Sequence, residues 1–70
     1  MLNKFGIHIR KIRLQQNMTQ LDVAVCADLD RNYIGLLERG QRNPSLVSLA
    51  KLAKGLNVSL ADLMSFDYEK

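Results

Sequence analysis

Arg31 and Asn32 stand side by side just after Asp30, and further basic or amide side chains follow at Arg39, Gln41, Arg42 and Asn43. The two groups suit two halves of one task. A guanidinium can pair with both acceptors on the major-groove edge of guanine, and a carboxamide can do the same with adenine. Cations and amides beside such readers are the groups that meet phosphate. Bond-breaking chemistry is a poor reading of this sequence. One His (His8) and one Cys (Cys26) cannot make a structural zinc site. There is no glycine-rich phosphate loop, and no cluster of carboxylates lies beside a base. No cofactor, metal or small-molecule ligand is expected.

To present Arg31 and Asn32 outward, the chain needs a short helix with a brace behind it. Residues 19–40, TQLDVAVCADLDRNYIGLLERG, read as two short helices around a tight turn. Thr19 is the expected N-cap of the first, answered by Asp22 three residues on. Leu21 and Ala24 are expected to point inward, with Ala24 as the small residue where the helices cross. The turn falls at Ala27 and Asp28, and Asp tolerates a positive φ better than most residues. Asp30 caps the next helix, which runs to about Arg39. Leu29, Ile34 and Leu37 fill its inner side, and Gly40 stops it. Arg31 and Asn32 then sit near its N-terminus, from which a recognition helix reaches base edges. At the start of the preceding helix, free N–H groups can meet a phosphate, and Gln20 adds a side-chain donor.

The remaining sequence supplies the support. A first helix from about Leu2 to Gln16 turns Phe5, Ile9 and Ile12 inward, and Asn17 can take the left-handed conformation that ends it. Residues 41–44 form a polar loop stiffened by Pro44, which restricts Asn43. Ser45 caps a fourth helix with an apolar stripe of Leu46, Leu49, Leu52, Ala53 and Leu56, closed by Asn57. Ser59 and Asp62 repeat the capping signature before a short fifth helix, about Leu60 to Met64. Strand periodicity is absent. The fold class is therefore all-α, with five helices in one domain over residues 1–70, a core at 5–64 and a tail at 65–70. The tail is expected to fray unless Phe66 and Tyr68 pack.

The net charge of +3 over 70 residues is unevenly spread: residues 1–56 carry +5 and residues 57–70 carry −2. A basic body suits a polyanion on one side. With a single Cys there is no internal disulfide, which fits a reducing cytoplasm. Cys26 reads as an inert small residue and His8 as a surface residue. Lys51 and Lys54 read as solvent-facing charges on the fourth helix. No apolar run approaches a membrane span, and the N-terminus has no signal-peptide core.

Five strings in order, IRKIR, MTQLDVA, YIGLLERG, RNPSL and LAKGLNVSLADLM, resemble the Cro/C1-type helix-turn-helix (XRE) family from Phe5 to Leu63. The string RNYIGLLERGQRNPSL leans toward its restriction–modification controller-like members. The resemblance implies the compact five-helix fold of the lambda repressor's DNA-binding domain, with the helix-turn-helix at helices 2 and 3. It implies base contacts by Arg31, Asn32 and Leu36. Backbone contacts would come from Thr19, Gln20, Tyr33, Gly35, Arg39, Gln41, Arg42 and Asn43. It also implies a structural ion pair between Arg13 and Glu38. Three positions depart from the family pattern. Gly35 stands where Ser is frequent, so it either lets the backbone approach DNA closely or is a tolerated substitution. Leu36 replaces a polar reader and could meet a thymine methyl or be a stray surface residue. Asp28 replaces the usual turn Gly.

The expected partner is double-stranded DNA, bound by a homodimer on a palindromic operator, with recognition helices ~34 Å apart. No separate dimerisation segment follows the fifth helix in this sequence. Leu60, Met64, Phe66 and Tyr68 are therefore the expected dimer contacts. The alternative is a protein-interaction module on the same fold, antitoxin-like or an anti-repressor partner, for which the weakly polar Gly35 and Leu36 are the main support.

Overall fold

A computed structural model of the chain describes residues 2–66. Five helices follow in order: α1 (Leu2–Gln15), α2 (Gln20–Ala27), α3 (Arg31–Glu38), α4 (Leu46–Gly55) and α5 (Leu60–Leu63). No strand occurs among the described residues. Thr19, Asp30, Ser45 and Ser59 each cap the helix that follows, with extended backbone and a side-chain oxygen accepting a backbone N–H. These caps satisfy donors that a helix start otherwise leaves open.

The ends of the first four helices obey a common rule. Asn17, Asp28, Gly40 and Asn57 adopt φ values of +57°, +56°, +71° and +56°. Each directs its own N–H and the next one back to the closing turn. After α3, for example, Gly40 N donates to Leu37 O at 3.1 Å and Gln41 N to Leu36 O at 2.9 Å. This is the Schellman arrangement. Asp28 thus takes the left-handed turn expected of it, and Lys51 Nζ donates to its carbonyl oxygen at 3.4 Å. Lys51 is tethered here rather than fully solvent-facing.

The core joins Phe5, Ile9 and Ile12 of α1 to Val23 and Ala24 of α2, Ile34 and Leu37 of α3, Leu52, Ala53 and Leu56 around α4, and Leu63 of α5. Burying such side chains stabilises by about 1.5–3 kcal/mol each. Two expected core positions are corrected. Leu21 is 54% exposed and Leu46 is 75% exposed. Both lie in the first turn of their helices, where the chain is still entering from the surface, so apolar spacing alone assigned them to the wrong face.

Two helical glycines mark close contacts between helices. A methyl group at Gly6 would stand 2.5 Å from the carbonyl oxygens of both Leu37 and Glu38. At Gly55 it would stand 2.7 Å from Ala27 Cβ and 2.8 Å from Ala27 N. Helix α1 therefore lies directly on the C-terminal end of α3, and α4 on the end of α2. Phe66 packs its ring 5.9 Å from Phe5 and 5.6 Å from His8, so the chain stays docked just beyond α5. His8 is more than a surface residue: its Nε2 lies 2.9 Å from Asp62 O. A carbonyl only accepts, so Nε2 carries the proton. Cys26 is exposed on α2.

Candidate nucleic-acid interface

Helix α3 is held from behind and at its C-terminal end. Ile34 and Leu37 are 1% and 0% exposed, which fixes the opposite side of the helix as the outward one. Arg31 and Asn32 are both exposed at its first turn. Asp30 accepts the Asn32 N–H at 2.9 Å, and this fixes where the helix begins. Leu36 is half-buried on the same outward side. Together with Gln20, Gly35 and Arg39, these residues line an open hollow of about 240 Å³.

Behind the hollow, three helices are tied at one carboxylate. Arg13 Nε donates to Glu38 Oε2 at 2.6 Å and Arg13 Nη2 to Glu38 Oε1 at 3.0 Å. Arg13 Nη1 donates to Met18 O at 2.9 Å, and Gln20 Nε2 donates to Glu38 Oε1 at 3.1 Å. The Arg13 and Glu38 side chains are 10% and 5% exposed. A charge pair this buried holds only when its remaining donors and acceptors are also matched, and here Met18 and Gln20 match them. Gln20 is therefore not simply an outward-reaching donor. Its amide nitrogen has one N–H on Glu38, which leaves the second for another acceptor. The carbonyl of Met18 and the amide of Gln20 were not foreseen in this role.

The start of α2 is similarly closed. Thr19 Oγ1 accepts from Asp22 N at 3.0 Å, and Asp22 Oδ2 accepts from Thr19 N at 2.8 Å. The Thr19 backbone N–H first, and its hydroxyl second, hydrogen-bond the Asp22 carboxyl and hold it below its ordinary range.

Beyond α3, Arg42, Gln41 and Asn43 are exposed. The Arg42 guanidinium carbon lies 5.9 Å from the centre of the Tyr33 ring, within cation–π reach. This contact holds a loop cation against α3. Arg39 Nε donates to Gln41 Oε1 at 3.0 Å. Gly35 is buried, because the Arg39 side chain and Gln20 lie over it. Gly35 therefore adds no exposed apolar surface beside the half-buried Leu36.

At the other end of the molecule, Leu60 is 44% exposed. Met64 and Phe66 are half-buried, packed against the core. Tyr68 lies outside the described residues.

Residues 9–63 match the helix-turn-helix family. The chain belongs to that family. Its helix-turn-helix relatives include the control protein C.MunI of a Mycoplasma species, 41% identical over 96% of this chain and 90% of that protein. The restriction–modification controller protein C.AhdI of Aeromonas hydrophila superposes with a TM-score of 0.88 at 43% identity, covering 90% of this chain and 96% of that one. The controller protein C.Esp1396I, solved as a tetramer in complex with its natural 35 base-pair operator, gives a TM-score of 0.79 at 48% identity, over 83% of this chain and 76% of that one. The helix-turn-helix of this chain comprises α2 and α3, the two helices that carry the hollow. Among the described residues, no group of His, Cys, Asp and Glu could hold a metal ion, and no helix is long and apolar enough to cross a membrane.

Proposed function

We propose that this chain is a sequence-specific, controller-like regulator of transcription that binds a palindromic operator as a homodimer in the cytoplasm of a bacterium. The observation that carries this reading is the exposed first turn of α3, with Arg31 and Asn32 free on the side opposite Ile34 and Leu37. In the mechanism, α3 enters the major groove N-terminus first. Arg31 pairs with a guanine, Asn32 with an adenine, and Leu36 packs on a thymine methyl. Thr19 and the second N–H of Gln20 meet a phosphate on one side of the groove. Tyr33, Arg42, Gln41 and Asn43 meet the backbone on the other. That the relative C.Esp1396I was solved on its natural operator supports operator binding by this chain.

One such surface covers little DNA, so affinity requires two copies. Leu60 and the accessible parts of Met64 and Phe66 form the dimer contact, with Tyr68 as a further candidate beyond the described residues. Regulation then follows protein concentration and cooperative occupancy of sites. The chain is a binding protein, not an enzyme, and its partner is double-stranded DNA.

Selection of bound duplexes from a random pool tests this directly. The expected product is a two-fold symmetric site whose half-sites are about one helical turn apart, with affinity that falls steeply as salt rises. Recovery of unrelated sequences, or binding indifferent to salt, would overturn it.

A further inference from the structure

Arg31, Gly35 and Arg39 fall on one stripe of α3, four residues apart. Helical side chains lean toward the N-terminus, so a residue one turn further on covers the preceding position. Arg39 does so here. A methyl group at Gly35 would stand 3.1 Å from Arg39 Nη1 and 3.7 Å from Nη2. It would also stand 3.5 Å from Gln20 Oε1. The guanidinium thus occupies space that a side chain at 35 would contest. Its Nε edge is held by Gln41 at 3.0 Å. Arg39 also lines the hollow shared with Arg31, Asn32 and Leu36.

We propose that Gly35 is a specificity-determining position: its missing side chain lets Arg39 fold back along α3 and present its Nη edge to a base rather than to phosphate. The ligand chemistry is a pair of acceptors in the major groove, as on guanine. Gln41 positions the guanidinium by fixing Nε, and Gly35 does so by leaving room. This rests on α3 being the reading helix, and it adds a third polar reader at a level one turn beyond Arg31 and Asn32.

The test is duplex selection and binding with Gly35→Ala, Arg39→Ala, Arg39→Lys and the Gly35→Ala/Arg39→Ala double variant, each checked by thermal melting. Gly35→Ala is expected to fold, because its new methyl meets only the far ends of the Arg39 and Gln20 side chains and no backbone atom among its nearest neighbours. Arg39→Ala is expected to flatten the preference at one base pair of each half-site by about tenfold, leaving the others intact. Gly35→Ala should weaken the preference at that same base pair severalfold, and the double variant should match Arg39→Ala alone. Arg39→Lys should not restore it, since a point charge lacks the two-pronged geometry.

An even loss of affinity across all sequences in Arg39→Ala, with the salt dependence reduced by about one phosphate contact and restored by Arg39→Lys, would make Arg39 a backbone clamp and overturn the proposal. So would a Gly35→Ala effect that persists without Arg39. Either result leaves the operator-binding reading standing, whereas a wild-type chain that selects no sequence overturns both.

Discussion

The two ends of α3 are built in opposite ways. Its C-terminal end is fastened on every side: Leu37 is fully buried, Gly6 brings α1 against the carbonyls of Leu37 and Glu38, and Glu38 gathers Arg13 and Gln20. Its N-terminal end has one cap, Asp30, and then two exposed polar side chains. The contrast separates two kinds of cost. Stability is concentrated at the C-terminal end, so the first turn, the proposed reading end, can carry side chains chosen for recognition. Substitutions at one end should therefore change melting, and substitutions at the other should change binding.

The strongest break in this comparison is Glu38→Ala. It strands the Arg13 guanidinium in a nearly dry site and removes the partner of Gln20. Loss of one member of a buried pair costs about 3–5 kcal/mol, a large part of what a small domain has in total. Chemical denaturation should show it as a lowered midpoint. Joint replacement by Arg13→Met and Glu38→Leu should recover much of the loss, because neither charge is then left unpaired. A Glu38→Ala chain as stable as the parent would mean that the knot does not fasten α3.

Next in size is Gly6→Ala. In an ordinary helix the change would help by roughly 1 kcal/mol. Here the added methyl meets two backbone oxygens, which cannot swing aside. Overpacking of this kind costs about 1–3 kcal/mol, so the net sign should reverse and the melting temperature should fall. An increase would show that α1 can slide away from α3 freely.

At the other end, Arg31→Ala should leave melting within about 0.5 kcal/mol of the parent, as surface changes usually do. It should cost about 1–3 kcal/mol of discrimination at one base pair of the half-site. Competition binding between the selected duplex and a single-base variant measures this. A large drop in stability would erase the division between the two ends.

How much of this could be read from residues alone follows the same division. Caps and turns were legible because Thr19, Asp30, Ser45 and Ser59 act through their own side chains on nearby backbone, and Asn17, Asp28 and Asn57 are residue types that tolerate the positive φ that ends a helix. Their chemistry is local. The outward position of Arg31 and Asn32 was legible because Ile34 and Leu37 define the opposite face. The Arg13–Glu38 pair lies 25 residues apart in sequence and was reached through family resemblance, not through spacing. Gly6 and Gly55 were missed because they act by absence: a glycine in a helical stretch signals a close approach, but not to what. Leu21 and Leu46 were misplaced because periodicity describes a helix in isolation, whereas burial depends on which neighbours cover its first turn. The folding back of Arg39 over Gly35 depends on a hydrogen bond to Gln41 in a loop, which no pattern announces.

The smallest expected effect is acidification acting through Asp22, at neither end of α3. Two hydrogen bonds at Thr19, the backbone one first, hold its carboxyl below the ordinary value of 3.8. A carboxylate with a depressed value in the folded chain stabilises above the unfolded value. That contribution fades as pH falls below 3.8 and through the lower folded value. The parent should therefore melt above Asp22→Ala at neutral pH, and the gap should close in acid, while titrations shared by both chains cancel in the difference. Asp22 is fully exposed, so the gap should be small beside that of Glu38→Ala. A gap that grew toward low pH would mean that Asp22 carries its proton in the capping box. A gap as large as that of Glu38→Ala would move the main anchor from the C-terminal end of α3 to the start of α2.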